Sequence, residues 1–303
     1  MPHERRSHDD RQMLELLKQV SRSFYLSVRL LPRELRRPVA VGYLLARTSD
    51  SIADAPGLQA ADRLAMLQQF DDDVQGRCPP SPIPAPREMP EAEARLLGAF
   101  ENCMAWLNAL DAEDRRDVLG VLEPITHGQR LDVRRFGEGQ PTRLTAEELD
   151  EYTYLVAGCA GEFWTRLGFR HLPNFASLPM PQMLELGRRY GMGLQLINVL
   201  RDARDDEKQG RNYLPGPQAG PWIAKAREGL ECGMKYALAL RPARVRAASA
   251  LPALIGFRTL AAMPAKVPRS DVKWLLARLA LSFGSRGRLQ REFDIALGDN
   301  RPR

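Results

Sequence analysis

Over nearly its whole length the chain repeats apolar residues at steps of three and four, the spacing that lines one face of an α-helix. The pattern runs through Arg11–Val20, Pro38–Asp54, Ala60–Val74, Glu91–Leu110, Ala112–Phe136, Ala146–Leu167, Pro181–Asp206, Pro221–Ala239, Ala243–Met263 and Arg269–Leu297. Period-two alternation never lasts beyond a few residues and no turn signals announce hairpins, so an all-α fold is expected. Pro38 and Pro181 suit a first helical turn, where a missing N–H costs nothing. Thr145 ahead of Glu147 and Glu148 reads as an N-cap followed by an acidic first turn. One stretch cannot be helical: between Gly76 and Pro90 stand Pro79, Pro80, Pro82, Pro84, Pro86 and Pro90, which read as an extended surface loop. The helices on either side of it look alike, so residues 1–303 are expected to form one helical domain.

Composition excludes more than it selects. The net charge is +6 over 303 residues, with an isoelectric point near 9.3. That surplus suits a phosphorylated ligand, an acidic membrane surface or nucleic acid without choosing among them. The arginines are dispersed and no compact basic-aromatic module occurs, so no nucleic-acid partner is expected. Cys78, Cys103, Cys159 and Cys232 form no paired motif, which argues against zinc and disulfide frameworks and for a reducing compartment. The start, MPHERRSHDDRQ, is too polar for a signal peptide. The weakly polar stretch Ala248–Met263 includes Arg258 and is too short to span a bilayer. A cytoplasmic protein is expected, able to rest on the inner membrane surface. Signatures of serine hydrolases, P-loop proteins, dinucleotide-binding folds and zinc proteases are absent.

Two acidic motifs carry the chemistry. Asp50-Ser-Ile-Ala-Asp54 follows the apolar run VAVGYLLA, and Asp202-Ala-Arg-Asp-Asp206 follows GMGLQLINVL. Residues four apart lie one helical turn up and about 40° around, so each pair projects two carboxylates from one face. At a helix C-terminus they would oppose the macrodipole and repel each other. A lone motif of this kind reads as a solvated helix end. Two of them, each ending an apolar helix and each beside an arginine, point instead to divalent-cation sites: hard Mg²⁺ takes a few carboxylate oxygens, keeps waters and bridges to phosphate.

Arg47 precedes Asp50 by one turn, Arg201 adjoins Asp202, and Gly210-Arg211-Asn212-Tyr213-Leu214-Pro215 follows the second motif. Guanidinium groups match phosphate oxygens; pairing with the neighbouring aspartates is the equal alternative. Asn198 lies one turn before Asp202. In Glu151–Gly161, the small residues Ala157, Gly158, Ala160 and Gly161 make a groove for a close helix or a ligand, tight packing being the commoner cause. Tyr152 and Tyr154 beside it read first as core residues with satisfied hydroxyls.

Ser21-Arg22-Ser23-Phe24, Tyr43 to Asp54, Tyr152 to Gly158, Leu194 to Asp206 and Gly210 to Pro215 occur in an order and spacing that resemble the squalene/phytoene synthase family of head-to-head prenyl transferases, over roughly residues 15–295. The resemblance implies an isoprenoid-synthase fold around a central cavity. By it, Asp50, Asp54, Asp202 and Asp206, with Asn198 and Asp205, bind Mg²⁺ and through it the substrate diphosphates. Ser21, Arg22, Ser23, Phe24, Tyr43, Arg47, Gln195, Arg201, Arg211 and Tyr213 surround the substrate. Tyr152 matches the tyrosine assigned to proton transfer or cation stabilisation, and Lys266 and Arg269 loosely match a region that reaches an NADPH phosphate. The implied reaction joins two farnesyl diphosphates through presqualene diphosphate to squalene, with NADPH reducing the second step. Alternatives are two geranylgeranyl diphosphates joined to phytoene, a reaction stopping at presqualene diphosphate, and a non-catalytic prenyl-lipid-binding relative. Two departures stand out. Ala53 replaces the glutamate that eukaryotic squalene synthases carry there, which implies fewer protein ligands for one metal. The chain also ends at Arg303 without their C-terminal anchor, as expected of a bacterial member.

Overall fold

A computed structural model describes residues 2–137, 143–263, 268, 271, 274–275, 277–279 and 285–298, with side chains from residue 9 onward except those of residues 22 and 23. All regular structure among the described residues is helical; the two extended pairings are isolated bridges, Arg143 with Asn212 and Ala176 with Leu240. The chain divides into two compact units, Met1–Arg29 with Arg33–Gln140, and Leu30–Pro32 with Pro141–Arg303.

The first unit holds α1 (Pro2–Val20), α2 (Arg22–Leu30), α3 (Arg33–Ala53), α4 (Ala60–Val74), α5 (Glu91–Gly98), α6 (Phe100–Asn108) and α7 (Ala112–Phe136). Its centre is α3 packed against α7, with α4 alongside. Val39, Leu44 and Leu45 of α3, Leu67 and Phe70 of α4, and Val118 and Leu122 of α7 are buried. The α4 and α7 boundaries are those the periodicity predicts. Three expectations need correction. Helix α3 begins five residues before Pro38, which sits buried inside it; the lost backbone bond is offset by burial of Leu35, Val39, Ala40 and Val41 around the ring. The span Glu91–Leu110 breaks at Ala99, just after Gly98, a poor helix former. Helix α2 is additional: the Ser21 hydroxyl accepts the Phe24 amide at 3.4 Å, an N-cap too short-ranged to register as periodicity.

The Pro-rich segment 76–90 forms no helix, with turns at both ends, and it is tied down. The Ser81 amide donates to buried Asp73 at 3.0 Å, and Arg77 bridges Asp71 and Asp72. Met89 is buried and, with Ile83, packs against Ala55, Leu58, Ala94 and Leu97.

The second unit holds α8 (Ala146–Thr153), a π-turn (Tyr154–Gly158), α9 (Cys159–His171), α10 (Met180–Lys208), α11 (Gly220–Ala239), α12 (Ala243–Ala262) and α13 (Arg286–Gly298). Thr145 and Glu148 form a reciprocal capping box at the start of α8. Where one helix from Ala146 to Leu167 is expected, the π-turn inserts an extra residue and re-aims α8 relative to α9. Helix α10 packs against α8, the π-turn, α9, α11 and α12. Glycines bring the backbones together: a β-carbon on Gly161 would lie 2.0 Å from the Gly187 carbonyl oxygen, and one on Gly191 would lie 2.2 Å from that of Ala157. The small residues of the 157–161 groove therefore serve close helix packing.

Candidate functional site: two acidic half-sites

The first half-site lies where α3 ends. Asp50 is in the last turn, and Asp54 follows the last helical residue with its amide bonded to the Asp50 carbonyl at 3.0 Å. Ala53 is buried and its carbonyl accepts from Arg63 at 2.9 Å, a cation placed at the negative helix end. Arg47 donates through one terminal nitrogen to the Asp50 carboxylate and through the other to Glu93 of α5 at 2.8 Å; its Nε is buried and has no hydrogen-bond partner among the described residues. One turn earlier, the Tyr43 ring stacks on Phe24 with centroids 4.3 Å apart. Burial pushes the Tyr43 phenol up, against the pull of a hydrogen bond with Ser21.

Electrostatically this half-site is tense. Burial raises the Asp50 carboxyl from 3.8 to about 6; repulsion from Asp54 adds to it, Arg47 opposes it, and Glu93 pushes the same way as Asp54. Because 39% of the Asp50 side chain stays open, water screens part of that repulsion.

The second half-site is built by α8, α10 and the segment after α10. Here α10 runs past the expected end at Asp206 to Lys208, so Asp202 lies within the helix and only Asp206 within its last turn. The end is a Schellman turn: Gly210, at φ +78°, donates to the Glu207 carbonyl, and the Arg211 amide reaches back to that of Asp206 at 2.9 Å. This reversal sets the Arg211 guanidinium 3.2 Å from the Asp206 carboxylate. The chain then pairs with the entry to α8: the Leu144 amide donates to the Asn212 carbonyl at 3.1 Å, and Arg143 to that of Leu214 at 3.0 Å. Tyr213 is thereby buried and stacked on Tyr152, centroids 5.0 Å apart.

A polar row links Tyr152 to the acidic end of α10. Gln195 donates to the Tyr152 hydroxyl at 3.4 Å, and Asn198 to Gln195 at 3.3 Å. Arg201 grips Asp202 with two nitrogens, at 2.9 and 2.5 Å. That bond leads the influences raising the Arg201 pKa. Asp205 pairs with Lys208 at 3.1 Å.

Of the residues singled out in the sequence, Ser21, Phe24, Tyr43, Arg47, Asp50 and Asp54 thus gather within the first unit. Tyr152, Gln195, Asn198, Arg201, Asp202, Asp205, Asp206, Arg211 and Tyr213 belong to the second. The side chains of Arg22 and Ser23, and Lys266 and Arg269 altogether, lie outside the described residues. Sequence reasoning missed Glu93: it is 46 positions from Arg47 and belongs to no motif. Its one legible signal is an acidic first turn after Pro90.

The family model for squalene/phytoene synthase matches residues 17–217, across both acidic motifs. The chain belongs to the squalene/phytoene synthase family. It is 26% identical to the squalene synthase of Cyberlindnera jadinii over 66% of this chain and 44% of that protein. It is 31% identical to the presqualene diphosphate synthase of Rhodopseudomonas palustris over 64% and 58%. The matches span about half the length of the curated relatives. A solved complex of TcSQS with the ligand E5700 superposes with a TM-score of 0.75 at 19% identity, covering 96% of this chain and 98% of that one. The fold is therefore the isoprenoid-synthase fold of that structure.

Proposed function

We propose that the chain is a head-to-head prenyltransferase that joins two farnesyl diphosphates through presqualene diphosphate to squalene. The observation that carries this reading is the chemistry of the two half-sites: each places two carboxylates four residues apart beside guanidinium groups, Arg47 in one and Arg201 and Arg211 in the other, which rest on the aspartates and would exchange them for diphosphate oxygens. The family match and the similarity to a squalene synthase support it. The same match crosses from the first compact unit into the second, which supports reading both as one catalytic domain.

The donor set fits magnesium. Paired carboxylate oxygens suit a hard cation, and an Asp50 carboxyl raised to about 6 marks negative charge that lacks compensation. Asp50 and Asp54 would hold the ion in one half-site; Asp202 and Asp206, with Asn198 and Asp205, would do so in the other. When bound, Mg²⁺ supplies charge neutralisation for a departing diphosphate. Arg47, Arg201 and Arg211 add guanidinium donors of matching geometry, which favour the charge that develops on the leaving group. The Tyr152 hydroxyl, which accepts from Gln195 beside the stacked Tyr213 ring, would accept the proton lost as the cyclopropane closes or stabilise the cation that precedes it. Phe24 and Tyr43 offer stacked rings for a prenyl chain. NADPH would enter only at the reductive step to squalene.

No helix among the described residues is long and apolar enough to cross a membrane; docking from the inner membrane surface to receive an apolar product belongs to this proposal.

The test is product identification. Protein with Mg²⁺ and farnesyl diphosphate is expected to release pyrophosphate and to yield squalene when NADPH is added. Turnover of geranylgeranyl diphosphate alone would make it a phytoene synthase. A product unchanged by NADPH would stop the reaction at presqualene diphosphate. No pyrophosphate from either substrate would leave a prenyl-lipid-binding relative.

A further inference from the structure

The two half-sites hold their arginines differently. Arg201 closes on Asp202 with Nε and a terminal nitrogen together, the fork geometry a guanidinium adopts toward a single carboxylate. Arg47 does not close on Asp50 in this way. One terminal nitrogen reaches Asp50, the other is drawn to Glu93 at 2.8 Å, and Nε has no partner among the described residues. We propose that Glu93 is a positioning residue: it counter-anchors Arg47, keeping the guanidinium from clamping both oxygens of Asp50 and so leaving that carboxylate available to a divalent cation. The proposal rests on the magnesium–diphosphate reading above.

Three features fit Glu93 to this role. It sits in the first turn of α5, where the helix dipole favours a carboxylate. Its side chain is 22% exposed, so the pair with Arg47 is shielded in part from competing water. Helix α5 is held by packing: Ala94 and Leu97 pack with Ala55 and Leu58, one and four residues past the Asp50 motif, and with Ile83 and Met89 of the Pro-rich segment. The anchor and the carboxylate it protects thus share one apolar footing, and the distance between them is set by packing.

Once Asp50 turns to the cation, Arg47 would otherwise lose its nearest partner. The Glu93 contact holds the guanidinium in place, with its freed terminal nitrogen able to meet phosphate oxygens. Glu93 itself touches neither substrate nor metal in this scheme.

The experiment is calorimetric titration of inorganic pyrophosphate with Mg²⁺ into wild-type, Glu93→Gln, Arg47→Met and doubly substituted protein, with thermal melts of each. Glu93→Gln keeps the shape and removes the charge. It is expected to weaken Mg²⁺-dependent pyrophosphate binding about tenfold at an unchanged melting temperature, whereas in the Arg47→Met background the same substitution changes binding less than twofold. Glu93→Asp, with the charge drawn back by a methylene, should recover part of the affinity, a rescue that a purely structural role would not give. If wild type binds and Glu93→Gln binds equally well, or loses as much with Met at position 47, the positioning role is overturned while the magnesium–diphosphate reading stands. If wild type itself fails to bind, that reading falls and takes this proposal with it.

Discussion

The acidic ends of α3 and α10 share a motif and differ in everything around it. At the end of α3 the second carboxylate follows the helix, the first is raised to about 6, and its arginine is shared with a glutamate from another helix. On α10 both carboxylates are helical, and each arginine is paired with an aspartate nearby in sequence, Arg201 with Asp202 and Arg211 with Asp206. The charge pairing of the first half-site is completed by tertiary packing, that of the second by local geometry. A motif of five residues is therefore no guide to how firmly its charges are compensated; the surrounding chain decides that.

The largest test of this contrast is loss of function from either side. Asp50→Asn and Asp202→Asn are each expected to lower turnover at least a thousandfold with the fold intact; near-normal product formation in one would strip that half-site of its assigned role. Tyr152→Phe should come next, with substrate affinity kept and formation of the cyclopropyl intermediate slowed about a hundredfold; an unchanged single-turnover rate would reduce Tyr152 to a packing partner of Tyr213.

The half-sites should separate in stability. Asp50 titrates higher in the folded protein than its ordinary 3.8, so the metal-free protein loses stability as pH rises from about 4 through about 6. Asp50→Asn should therefore melt above wild type at pH 7.5, with the gap closing near pH 4, and added Mg²⁺ should reverse the order. Identical melting curves across that range would show that Asp50 carries no such burden. On the other side, Gly210→Ala forces a side chain into the left-handed turn that brings Arg211 to Asp206, although a β-carbon there meets nothing within 4 Å. A loss of about 1 kcal/mol is expected from the backbone alone, smaller for Gly210→Asn, as chemical denaturation would reveal.

The same contrast explains what could be read from the sequence. Helix existence was legible because burial on one face imposes a period, and the ends of α4 and α7 fall where the apolar pattern stops. The candidate site was legible on α10, where Gln195, Asn198, Asp202 and Asp206 keep helical spacing. It was not legible at Glu93, whose partner is distant in the chain, nor in the π-turn, whose extra residue leaves no mark on a pattern of small residues. The Pro-rich stretch was recognised as non-helical, but periodicity carries no information about Ile83 and Met89 turning inward to support α5. Pro38 misled because a proline suited to a first turn can also be tolerated inside a well-buried helix.

The glycine seam along α10 has a mechanical side. The seam clasps the helix around Gly187 and Gly191, and burial continues only as far as Val199. Asp206 projects seven residues beyond that point, about 10 Å at the usual rise per residue. Helix α10 is in effect a beam gripped by close packing along its middle and steadied at its tip by polar contacts, Arg211 on Asp206 among them. A tilt of roughly 5° at the last support would swing the carboxylate by about 1 Å, a displacement large enough to spoil the alignment of catalytic groups. Substituting a seam glycine would then be felt as misalignment at a tip it never touches.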